Sequence, residues 1–127
     1  MESLNLPAVL TPDKSPDGNW WLFMRGGDGR RAHLGVYTQK ADKFKPYGPW
    51  INYSGNPVVP AGWYGTEDAY HAIDPVPVVG KDGRFYLYYK GISEDKKNTV
   101  LIAVSDDGFN YVKSPKHWKD DCGVADV

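Results

Sequence analysis

The stretch Ile73-Asp74-Pro75-Val76-Pro77-Val78-Val79-Gly80-Lys81-Asp82-Gly83-Arg84-Phe85-Tyr86-Leu87-Tyr88-Tyr89-Lys90-Gly91 decides how this chain is read. Phe85-Tyr86-Leu87-Tyr88-Tyr89 is aromatic or apolar at every position, which predicts a strand covered on both faces. Asp82-Gly83 just before it is a dipeptide that closes hairpins. Val76-Pro77-Val78-Val79 before that reads as a short β-branched strand. Working outward, a polar loop over residues 94–98 leads to a strand over 99–105. Asp106-Asp107-Gly108 turns the chain, and Phe109-Asn110-Tyr111-Val112 opens a fourth strand. The pattern is a four-stranded antiparallel meander.

The first half repeats it. Asp17-Gly18 and Asp82-Gly83 stand 65 residues apart, as do Gly26 and Gly91. Trp20-Trp21-Leu22-Phe23-Met24 takes the place of the aromatic strand. His33-Leu34-Gly35-Val36-Tyr37-Thr38 matches the strand after it at an offset of 67. Phe44 and Tyr47 are matched to Phe109 and Tyr111, and Ala8-Val9-Leu10 is the innermost strand. One domain, residues 1–127, thus holds two repeats, about 5–60 and 72–118. No window shows a helical period. The expected class is all-β. Two architectures fit: two four-stranded blades of a β-propeller, or a sandwich of two similar meanders.

The composition supports short strands and tight turns. Among 127 residues are 5 Trp, 9 Tyr, 4 Phe, 14 Gly and 10 Pro. The net charge of -1 and the scattered basic residues give no nucleic-acid footprint. Gly26-Gly27-Asp28-Gly29 lacks the Lys-Ser/Thr of a phosphate loop, so no nucleotide cofactor is expected. His33, His71 and His117 lack metal-ligand spacing, and the lone Cys122 permits no internal disulfide, so no metal site is expected. No apolar run spans a membrane and no signal peptide is visible, which implies a cytoplasmic protein if the chain is full length.

The quoted stretch resembles the blade motif of five-bladed β-propeller glycosidases, glycoside hydrolase families 43, 32 and 130. Their blades read Asp-Pro, an apolar strand, Asp-Gly, an aromatic strand, then Gly. Ser105-Asp106-Asp107-Gly108 with Phe109 and Tyr111 matches a later element of the same blade, and the segment 55–62 matches the approach to the next Asp-Pro. The resemblance covers nearly the whole chain, as two blades rather than five. It implies a carbohydrate partner and gives Asp74 a catalytic place, as base or as the Asp that tunes it. The first repeat departs from the motif, with Leu6-Pro7 where Asp-Pro is expected. Asp126 sits in a motif-like place near the C-terminus without the Pro.

Hydrolysis of a glycosidic bond needs two carboxyl groups flanking it, and the set here looks incomplete. Candidate sugar contacts are Trp50, Trp63 and Tyr64, which flank Gly- and Pro-rich loops and offer stacking faces, and Glu67, Asp68, Tyr70 and His71, which precede Asp74. An Asp before Pro also caps turns, and loop acids are also solvated charges. The expected protein is therefore a carbohydrate-binding or degenerate glycosidase. The alternatives are a non-catalytic self-assembling scaffold or a truncated piece of a larger glycosidase. Two blades cannot close a ring, so association into a homo-oligomer is expected, for example three copies giving six blades.

Overall fold

The computed structural model describes residues 6–27, 29–62 and 66–114. Trp63, Tyr64, His117, Cys122 and Asp126 lie outside them. The described chain is all-β, with one short 3-10 turn at Ala41–Lys43. Its strands are β1 (Ala8–Leu10), β2 (Trp20–Gly27), β3 (Ala32–Gln39), β4 (Ile51–Asn52), β5 (His71–Val79), β6 (Phe85–Ile92), β7 (Asn98–Ser105) and β8 (Val112–Lys113). β1 to β4 form one antiparallel meander and β5 to β8 another. A parallel bridge from Ala32 to His71 joins them.

The two opening turns share one chemistry. Asp17 accepts from the Asn19 amide at 3.0 Å and from the Trp21 indole at 2.8 Å. Asp82 accepts from the Arg84 amide at 3.0 Å and from the Tyr86 hydroxyl at 2.6 Å. Each turn carries its Asp bonded to the second amide and the fourth side chain, followed by a glycine at φ 79 or 80, a region costly for other residues.

Strand pairing corrects the alignment of the repeats. Phe23 pairs with Val36 and Tyr88 with Ile102, so the second strands align at 65 and the third at 66, not 67. The hairpin loop has four residues between Gly27 and Ala32 and five between Ile92 and Asn98. Alternation makes that one residue decisive, because it moves each side chain to the opposite face. In the corrected frame Trp21, Phe23, Leu34 and Val36 correspond to Tyr86, Tyr88, Val100 and Ile102. The first set is fully buried. Of the second set only Ile102 is buried, and the second meander packs Leu87, Tyr89, Leu101 and Ala103, which lie on its other face, into the core. The core therefore joins opposite faces of one repeated sheet, head to tail, as neighbouring propeller blades stack. Trp21 packs edge-on against Phe109 of the second meander, with ring centres 5.5 Å apart.

Two further matches change. Thr38 pairs with Ile51 and Val104 with Val112, which makes Trp50, not Phe44 or Tyr47, the counterpart of Tyr111. Phe44 stacks on Trp20 at 4.3 Å, and Tyr47 is fully exposed. The fourth strand begins at Val112 rather than Phe109, because Asp107 binds the amides of Phe109 and Asn110 at 2.8 and 2.9 Å and holds them in the turn.

Candidate functional site

β5 is longer than the sequence predicts and is interrupted. Its pairing with β6 runs from His71 to Ile73, breaks, and resumes at Val76. Asp74 and Pro75 occupy the break. Proline suits such a place because it has no N–H to give the ladder. Asp74 has φ 56, in the left-handed region that non-glycine residues rarely hold. Bulges and strained residues of this kind re-aim side chains. Its Oδ1 is buried and without a hydrogen-bond partner, and its Oδ2 lies 3.4 Å from Lys90 Nζ. Ala8 pairs with Phe23 and Val76 with Tyr88, an offset of 68. Carried back two residues, that offset sets Pro7 against Pro75 and Leu6 against Asp74, so the motif departure falls where the sequence places it.

Asp68 is tied into the fold. It is buried, and its Oδ2 accepts from the Tyr89 hydroxyl at 2.9 Å and meets Lys113 Nζ at 2.7 Å. The carboxylate lashes the loop before β5 to β6 and β8. Burial, then the Asp68 charge, pushes the Tyr89 phenol well above its ordinary range. Gly91 makes room for this loop: a β-carbon there would stand 3.1 Å from the Glu67 carbonyl and 2.6 Å from Leu101.

His71 is half-buried, with Tyr70 against its ring at 3.8 Å between centres. Its Nδ1 accepts from the Ala32 amide at 2.9 Å, which fixes the proton of the neutral ring on Nε2. Burial, and next the charges of Arg25 and His33, hold its pKa below the ordinary value. His33 Nδ1 accepts from the Ala61 amide at 2.8 Å. Arg31 donates to the carbonyls of Gly62 and Ala69 at 3.0 and 3.2 Å. These three side chains pin the crossover between the meanders.

The loop thus gathers Glu67, Asp68, Tyr70 and His71 at the start of β5, with Asp74 three residues beyond His71. Trp50 lies elsewhere. It meets Phe44 edge-on at 6.1 Å in an outer aromatic group that also contains Trp20. A 570 Å³ cleft lined by Lys40, Lys43, Phe44, Lys45, Pro49 and Ile51 adjoins it. Arg31, His33, Tyr89, Lys90 and Lys113 were not singled out as site residues by the sequence. Their partners are 16 to 45 positions away in the chain, beyond any local motif. Among the described residues no group of three or more His, Cys, Asp or Glu could hold a metal ion. Among the same residues no helix is long and apolar enough to cross a membrane.

No family model and no curated protein matches the sequence. Among solved structures, the chain is similar to part of a glycoside hydrolase family 43 arabinoxylan arabinofuranohydrolase from Bacillus subtilis, determined in complex with cellotetraose. The identity is 24%, the TM-score 0.49, and the match covers 87% of this chain and 23% of that one. The chain therefore spans less than a quarter of that enzyme's length.

Proposed function

We propose that this chain is a glycosidase-like propeller protein that presents Asp74 to a carbohydrate, as a binding or degenerate hydrolytic unit. The observation that carries the reading is Asp74 itself. The residue is held at φ 56 in a break of β5 with a buried, unpartnered carboxylate oxygen. Buried polar groups in folded proteins are ordinarily satisfied, and exceptions concentrate at functional places. A carboxylate oxygen is an acceptor only, and a sugar hydroxyl would give a donor to this carboxylate, whose side chain is 23% exposed. Tyr70 and His71 at the start of the same strand offer ring faces for the apolar side of a pyranose. Trp63 and Tyr64, which precede them in the sequence and lie outside the described residues, remain part of this proposal as stacking residues, and Trp50 as a more remote one. Glu67 would edge the same site.

Binding is favoured over turnover. Hydrolysis requires a second carboxyl group at a set distance, and the Asp68 carboxylate is already engaged by Tyr89 and Lys113. The test is to present a panel of neutral oligosaccharides, cellotetraose included, together with aryl glycosides, to the wild type and to Asp74→Asn. Saturable binding without release of the aryl group, lost in the variant, supports the proposal. Binding that is unchanged in Asp74→Asn overturns the role of Asp74. Turnover that depends on Asp74 would move the reading to an active glycosidase.

A further inference from the structure

The second meander carries an apolar face that repeats one already buried inside the molecule. Val78 pairs with Tyr86, Tyr86 with Val104, and Val104 with Val112, so these four side chains form one row on one face. Val76 and Tyr88 form the next row. Val76 is 55% exposed, Val78 43% and Val112 72%. Contiguous exposed apolar surface of this kind marks an interaction site. In the corrected frame Tyr86 and Tyr88 are the counterparts of Trp21 and Phe23, and Val78 is the counterpart of Leu10. Those three are among the side chains with which the first meander grips the second.

The first meander's outward face completes the relation. Val9, Leu22 and Tyr37 pair across β1, β2 and β3 in one row, and Met24 lies in the next. By the same register Leu22, Met24 and Tyr37 are the counterparts of Leu87, Tyr89 and Ala103, which the second meander buries against the first. None of the four is buried, and Val9 is 44% exposed. Gly35, Tyr37 and Met24 also line a 290 Å³ depression there. The chain thus ends in two unlike faces, each the repeat of one half of its own internal interface.

We propose that these two faces bind one another between copies of this chain, head to tail. The occupant of the Val76–Val78–Tyr86–Tyr88 face is the Val9–Leu22–Met24–Tyr37 face of a second copy. A contact of this type is heterologous, and repeated copies close into a ring when the rotation permits. The inference is independent of any role for Asp74, which no step of it uses.

Light scattering across a micromolar concentration series tests it. The wild type is expected to show a defined oligomer. Val76→Lys with Val78→Lys blocks one face, and Val9→Lys blocks the other, so each variant alone is expected to be monomeric. Mixed in equal amounts, the two variants retain one intact interface per pair and should give a 1:1 dimer of doubled mass. An isologous dimer cannot do this. A monomeric wild type overturns the proposal and leaves the faces to other parts of a longer polypeptide. It is equally overturned by a wild-type oligomer that only one of the two variants disrupts, or by folded variants whose mixture stays monomeric. Circular dichroism confirms folding, and the wild-type mass alone is decisive if a variant fails to fold.

Discussion

At Asp74 a β-carbon is held in the left-handed region, where its contact with the backbone costs a non-glycine residue about 1–2 kcal/mol. A buried oxygen without a donor adds to that cost. Asp74→Gly removes both and should raise the unfolding free energy by about 1 kcal/mol while abolishing sugar binding. Chemical denaturation measures the first effect, and a lower midpoint in the variant would refute the strain. Asp68 behaves in the opposite way, since its network is structural. Tyr89→Phe removes a buried donor to a carboxylate and should cost about 1.5–3 kcal/mol. The His71 effect depends on pH. Its folded-state pKa lies below the ordinary value, so the unfolded chain takes up the proton first. Its contribution to stability is whole above about pH 6.5, falls as the pH drops through that value, and levels off below the folded pKa. Urea midpoints from neutral pH to about pH 5 should therefore fall more steeply in the wild type than in His71→Gln.

The strands and their turns show how much of the fold is legible in sequence. Asp17-Gly18 and Asp82-Gly83 mark two hairpins because the Asp side chain bonds its own turn and glycine accepts φ near 80, and both are local requirements. Aromatic runs mark β2 and β6 for the same kind of reason. Sequence alone sets the third strands one residue out of alignment, because nothing in a polar loop states its length relative to its repeat. Only the ladder of Phe23 to Val36 and Tyr88 to Ile102 settles which face is which. The site divides similarly. Asp74 is visible from Asp-Pro, whereas the bonds that consume Asp68 come from Tyr89 and Lys113, residues that meet it only after folding. The twin turns also make an element-level prediction. Asp17→Ala strands the indole N–H of a fully buried Trp21, while Asp82→Ala frees a half-exposed Tyr86 hydroxyl. Asp17→Ala should cost about 1–3 kcal/mol, and Asp82→Ala less. Thermal melts that reverse this order would contradict the account.

The described residues form two like meanders, joined into one eight-stranded sheet by the Ala32–His71 bridge, with the core between unlike faces. That geometry explains the high aromatic content. Trp21, Phe23, Tyr89 and Phe109 meet between the meanders, while Tyr86 and Tyr88 wait on the next face. It also explains why strands expected to be covered on both faces are buried on alternate residues only. Where the strands stop being covered, the repeat continues in register. The central claim is that this scaffold holds Asp74 in a costly conformation for the sake of a carbohydrate. Titration calorimetry with the oligosaccharide panel tests it most directly, run on wild type and Asp74→Asn matched by light scattering for the same state of association. The account predicts saturable heat for the wild type with at least one sugar, and none for Asp74→Asn. Equal heats for the two proteins, or no binding by the wild type to any member of the panel, would contradict it.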